Sequence, residues 1–300
     1  MKARRRGRGR TALCAAVAAV QTALAGTVSG CAERGAVADG GPSSGALTTV
    51  REAADVLARA GSSRTRTAVR TASGGTRVTV HGRGAFDYAR QRGTLRVTLP
   101  REAPGAPPGD PITELITPNA LYLKNRGAGV PAGKWVRMDT GRLPDGNLVS
   151  SGATDPLRAA ELLRGARTVS YEGRKRIEGV RVRHFRGTAD LAAAARAASE
   201  GSRDELAAAA EGFSVGDVVF DAYFDVQGRL RKVRYRFVAA EDTSPGPGPV
   251  RRGAAAVTST TTLYDFGVPV RVELPDPEDI YTGTIASPPQ PPEPSGPPAR

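Results

Sequence analysis

DVVFDAYFDVQGRLRKVRYRFV, Asp217–Val238, is the stretch whose reading decides the fold. Both halves alternate apolar and polar residues, the period of two that places successive side chains on opposite faces of a strand. Gln227-Gly228 between them suits a two-residue hairpin loop. With that loop, Val218 faces Phe237, Phe220 faces Tyr235 and Ala222 faces Val233 on an apolar side, while Asp221 faces Arg234 on the solvent side. Asp217, Asp221 and Asp225 would form a three-carboxylate metal site on one strand face. Cross-strand pairing with Lys232 and Arg234 accounts for them without an ion, and no metal is expected.

The same alternation extends in both directions from this hairpin. In TRVTVHGRGAFDY, Val78, Val80, Gly82, Gly84, Phe86 and Tyr88 share one face and Arg77, Thr79, His81, Arg83 and Asp87 the other. Leu95, Val97 and Leu99 give the next strand its apolar side. ELITPNALYLKN predicts two strands about a Pro118-Asn119 turn, GKWVRMD a further one, and ARTVSYEGRKRIEGVRVRHFRGTAD two more. Helical spacing appears in LTTVREAADVLARA, Leu47–Ala60, which stops at Gly61. It recurs in DPLRAAELLRG, with Asp155 as N-cap, Pro156 in the first helical position and Gly165 as the stop. Residues 190–212 are helical with a break near Gly201, where Ser202 and Glu205 have the spacing of a capping box. The sum is α+β: a long antiparallel sheet with short helices to cover its apolar face.

Catalytic motifs are missing. Neither His81 nor His184 sits in a nucleophile, zinc or phosphate signature, and Gly82-Arg83-Gly84 lies inside a strand with no helix after it. No carboxylate spacing singles out an acid/base pair. A non-enzymatic protein without cofactors is expected. The formal charge of +13 comes from thirty-eight arginines and five lysines scattered along alternating strands. That pattern fits a composition bias better than a nucleic-acid code, so no nucleic-acid partner is expected; weak attraction to anionic headgroups or wall polymers is the better match.

The N-terminus supplies a compartment. MKARRRGRGR carries six basic residues and no acid, and TALCAAVAAVQTALAG follows as an apolar run too short to span a membrane. Val28-Ser29-Gly30-Cys31 then resembles the lipobox of bacterial lipoproteins. The resemblance implies a signal peptide over residues 1–30 and lipid attachment at Cys31, whose thiol can form the thioether. An ordinary secretory signal with a free Cys31 thiol is the alternative, and Arg4, Arg5 and Arg6 leave the export route open. Cleavage before Cys31 takes the formal charge to +7 and leaves one cysteine, so no disulfide is expected. Gly/Ser/Ala-rich residues 31–46 read as a flexible tether and 283–300 as a Pro-rich tail, with one domain over 47–282 between them.

Within that domain GRGAFDYA, ALYLK before GKWVRMD, DPLRAAELLRGA, VRHFRGTADL, GRLRKVRYRF and LYDFGVPVRVELP occur in an order that resembles the actinobacterial LppX/LprG-type lipoproteins of the LolA-like group. The resemblance implies an incomplete antiparallel barrel wrapped around helices, with an apolar cavity for the acyl chains of a lipid or lipid-linked molecule. It implies a chain anchored on the extracytoplasmic face of the cell membrane through Cys31. Val80, Gly82, Gly84, Phe86, Leu95, Val97, Leu121, Leu123, Phe220 and Tyr235 are then the candidate inner-face residues. Gly82 and Gly84 fit either a cavity or a sharp bend of the sheet. A sensor or regulatory module that uses the same half-barrel to bind a protein partner is the alternative function.

Overall fold

The computed structural model describes residues 44–73, 76–100, 109–127, 129–143, 145–149, 155–213, 216–238 and 256–283. The signal peptide, Cys31 and nearly all of the tether and Pro-rich tail lie outside them.

Eleven strands form one antiparallel sheet: β1 (Ser62–Ser73), β2 (Thr76–Asp87), β3 (Arg92–Thr98), β4 (Ile112–Thr117), β5 (Ala120–Lys124), β6 (Trp135–Asp139), β7 (Ala166–Ile177), β8 (Val180–Asp190), β9 (Asp217–Phe224), β10 (Leu230–Val238) and β11 (Ala256–Tyr264). Their spatial order is β6-β5-β4-β3-β2-β1-β11-β10-β9-β8-β7. Each wing is a meander: the chain runs outward from β1 to one edge, crosses to the other edge and returns to β11, which pairs with β1 at the centre. The edges do not meet, so the sheet is an incomplete barrel. The expected hairpin register is present, with Val233 opposite Ala222, Tyr235 opposite Phe220 and Arg234 opposite Asp221. It survives a loop longer than expected, because a bulge at Leu230–Lys232 restores the phase. Asp225 fastens that loop, accepting from the backbone N–H groups of Gln227 and Arg229.

Two strands escape the expected pattern. β1 and β11 turn Ser63, Thr65, Thr67, Ser259 and Thr261 to the inner side among Val69, Val257 and Leu263, so apolar periodicity is weak although the β-branched content is high.

The helices are α1 (Ser44–Arg51), α2 (Ala53–Ala60), α3 (Pro156–Glu161), α4 (Leu191–Ala197) and α5 (Glu200–Gly212). The first expected helix is two, parted at Glu52, and α1 starts inside the stretch read as tether. Asp155 caps α3 as expected, accepting from the N–H groups of Leu157 and Arg158. The break between α4 and α5 falls at Ala198-Ser199, and the capping box at Ser202 and Glu205 does not form. Glu205 is instead spent on the core: its carboxylate accepts from Thr140 Oγ1 at 2.8 Å and pairs with Arg158, which also pairs with Asp155. This buried triad ties α3, α5 and the turn after β6 together. Arg164 joins Asp55 of α2 to Glu161 of α3. Val50, Ala53, Leu57, Leu157 and Leu206 pack from the helices into one core with Phe220, Tyr235 and Leu95 of the sheet. Among the described residues no helix is long and apolar enough to cross a membrane.

On the other side of the sheet, the Asp221 carboxylate is not the exposed partner expected. It is 5% exposed and accepts from Arg234 at 2.7 Å, His184 at 2.9 Å and Arg186 at 3.1 Å, while His184 stacks on Tyr223. Burial pushes this carboxyl up, but the hydrogen bonds from Arg234 and His184 outweigh it and hold the group below the usual carboxylate range. Of the expected cation partners only Arg234 meets an aspartate: Lys232 lies over the Tyr223 ring instead, Asp217 pairs with Arg167 and Asp225 with Arg229.

Candidate functional site

The inner face can be followed strand by strand from the register. One row runs Leu123, Glu114, Leu95, Gly84, Thr65, Leu263. The next runs Ile112, Val97, Gly82, Thr67, Thr261, Val233, Ala222, Phe185. A third holds Val80, Val69, Ser259, Tyr235, Phe220 and Gly187. All ten expected positions therefore share this face: Leu121 sits beside Ile116, and Phe86 beside Gly93. Tyr235 also reaches the helical layer, its hydroxyl donating to the Ala159 carbonyl at 2.6 Å.

This face is closely packed against the helices. Val97, Leu121 and Phe220 have 0% exposure, so no water-sized void touches them. Val80 is half-buried at the periphery. Gly84 does not make room for a chain, because a Cβ there would lie 1.8 Å from the Thr94 carbonyl oxygen of β3. The cavity role expected of Gly84 is thus corrected: the residue stands where the backbone of β3 approaches closely.

Among the described residues, Glu114, Thr65, Thr67 and Thr261 stand in this apolar setting without hydrogen-bond partners. Glu114 lies on β4 between Ile112 and Ile116 in the alternation, opposite Leu95 on β3 and Leu123 on β5. It is 0% exposed, and neither carboxyl oxygen meets a donor. Burial pushes its pKa up to about 8, against a smaller downward pull from Arg126. At neutral pH it is largely a neutral acid, able to donate as well as accept. The hydroxyls of Thr65, Thr67 and Thr261 are also buried and unpartnered, with Thr67 and Thr261 directly opposite. Ser63 differs, its Oγ hydrogen-bonding Tyr88 Oη at 2.7 Å. Such orphaned groups each cost about 1–3 kcal/mol, and they are few in native interiors. Sequence reading placed none of them; the available signal was a single acid inside the apolar alternation of ITELIT and the Ser/Thr alternation of β1.

Among the described residues no three His, Cys, Asp or Glu side chains are grouped to hold a metal ion. The inner face offers apolar area and a few hydrogen-bonding groups. Several solved structures match this chain at low identity. LprF from Mycobacterium bovis matches over 79% of this chain and 99% of its own, at 15% identity and a TM-score of 0.41. The Mycobacterium tuberculosis lipoprotein LppX matches over 76% and 98%, at 13% identity and 0.43. A LolA superfamily protein from Nitrosomonas europaea matches over 79% and 97%, at 12% identity and 0.30. LppX and the LolA superfamily are the types that the sequence phrases resemble. No protein-family description and no curated protein matches the chain. The likeness is one of fold, and no site residue is carried over from it.

Proposed function

We propose that this chain is a lipoprotein anchored through Cys31 on the extracytoplasmic face of the membrane, and that it binds the apolar part of a lipid or lipid-linked molecule between sheet and helices. The observation that carries this reading is the set Glu114, Thr65, Thr67 and Thr261, orphaned on the apolar inner face of an unclosed sheet. A closed core gains nothing from them. An amphiphile that brings hydroxyl, ester or amide groups would satisfy them while its chains replace the helix contacts of Leu95, Val97, Leu121, Leu123, Phe86, Phe220 and Tyr235. The driving force is apolar burial, at roughly 25 cal/mol per Å² before ordering costs. Binding then draws the chain toward an open arrangement by mass action.

Native mass spectrometry of protein extracted from its own host tests the reading. Wild type should carry a covalent lipid at Cys31 and a further lipid released on denaturation. Cys31→Ser should lose the covalent lipid and membrane attachment and keep the second lipid. A Cys31→Ser protein that retains no lipid and takes up no fluorescent fatty acyl probe would sink the reading.

A further inference from the structure

The β7–β8 hairpin carries four arginines for which the inner face gives no use. Arg174 is the register partner of Arg183, and Arg176 that of Arg181. Two like-charged pairs thus stand directly opposite each other, an arrangement that weakens a sheet. Among the described residues no carboxylate pairs with Arg174, Arg181 or Arg183. The nearby acids are occupied: Glu172 accepts from Ser170 Oγ, Glu178 pairs with Arg66, and Asp225 is held by Arg229 and its own turn.

Arg174, Arg181 and Arg183 line a cavity of about 260 Å³ together with Val182, Phe224, Val226 and Asp225. Val226 is 80% exposed at this place, unusual for an aliphatic side chain. Arg181 and Arg183 continue the alternation of Phe185, Gly187 and Ala189, and Arg183 is the register partner of the buried Phe224. Its guanidinium lies 5.6 Å from the Phe185 ring centre. The apolar inner face therefore ends in a group of unpaired cations. Basic residues on an edge strand also discourage pairing with another sheet, which accounts for Arg174 and Arg176 on β7. It does not account for Arg183, which has Arg174 of β7 on one side and Phe224 of β9 on the other.

We propose that this cavity binds the phosphate-type head of an anionic amphiphile whose chain runs toward Phe224 and Phe185, an assignment that rests on the lipid-binding reading above. Guanidinium groups match phosphate oxygens two at a time, and the exposed Val226 supplies apolar contact for the first carbons behind the head.

The test is fluorescence titration of the chain carrying Cys31→Ser with two probes that share one labelled acyl chain, a lysophosphatidic acid and a neutral monoacylglycerol. Wild-type inner face and hairpin should take the phosphate-bearing probe about tenfold tighter or more. Arg181→Gln combined with Arg183→Gln, both at exposed positions, should bring the two probes to equal affinity and leave the neutral one unchanged. Equal affinity before substitution, or selectivity that survives it, overturns the head-group assignment and leaves lipid binding standing. Uptake of neither probe overturns lipid binding itself, and this assignment with it. Glycerol 3-phosphate is the third arm: displacement of the phosphate-bearing probe at equimolar concentration would make a free phosphate compound the ligand and overturn the amphiphile.

Discussion

Glu114 stands directly opposite Leu95 across the β3–β4 pair, an acid against an aliphatic side chain with no hydrogen-bond donor to either carboxyl oxygen among the described residues. Its pKa is pushed up to about 8 by burial, so the folded chain holds a proton there that the unfolded chain, titrating near the ordinary glutamate value, gives up. Stability from this group is fully present below about pH 4.5 and is lost as pH rises through about 8. Glu114→Gln cannot ionise and should show no such loss. Urea denaturation of both proteins at pH 5, 6.5 and 8 should find the variant gaining on wild type with each step, by on the order of a few kcal/mol in total. A constant difference across the three pH values would mean that the carboxyl is solvated in the folded state.

Gly84 leads to a second expectation, opposite in sign to what an inner-face void would give. The space its Cβ would fill is taken by the Thr94 carbonyl of the adjacent strand, and backbone cannot swing aside as a flexible side chain can. Gly84→Ala should therefore cost about 1–3 kcal/mol or more, read as a lowered melting temperature. A variant that melts like wild type would mean that β2 and β3 can separate at this point without cost.

How far the sequence discloses this molecule depends on which residues face inward. The β9–β10 hairpin is legible because Phe220 and Ala222 oppose Tyr235 and Val233, and a one-residue slip would turn all of them to solvent. The Asp155-Pro156 start of α3 is legible because capping is local. β1 and β11 are not, since their inner positions are largely Ser and Thr, and a pattern of hydrophobicity has little to register. The candidate site divides in the same way. Its apolar half follows from alternation, whereas its orphaned groups become visible only when the strands of β1, β4 and β11 are set side by side. Glu205 and Asp221 show a further limit: local spacing suggested a helix cap and a surface pair, and tertiary partners claimed both carboxylates.

Asp221 yields the third prediction. Its carboxylate is buried under Arg234, His184 and Arg186, and Asp221→Asn leaves those three donors without their shared anion. The expected cost is about 1.5–3 kcal/mol at neutral pH, the range for hydrogen bonds to a charged group. Since the folded-state pKa is depressed, the contribution is present above the ordinary aspartate range and fades as pH falls through the folded value. The gap between wild type and Asp221→Asn should thus narrow below about pH 4. Calorimetry at pH 7 and pH 3 checks this, and an equal gap at both would assign the loss to packing. Ligand uptake should be unchanged, because Asp221 lies on the face away from the helices.

The last prediction concerns the triad that holds the helices over the sheet. Arg158 is buried between Asp155 and Glu205, and Glu205 also accepts from Thr140. Removing Arg158 strands two carboxylates in the core: Arg158→Met should cost about 3–5 kcal/mol. Replacing Glu205 by Leu in the same chain removes one of those carboxylates, leaving Asp155 with the N–H groups of the α3 start. The double variant should consequently be more stable than Arg158→Met alone, the sign expected when a stranded buried carboxylate is removed with its partner. Melting of the two single variants and the double completes the cycle. If the double variant lost as much as the sum of the singles, Arg158 and Glu205 would be acting independently, and α3 and α5 would be held together by their apolar contacts rather than by this pair.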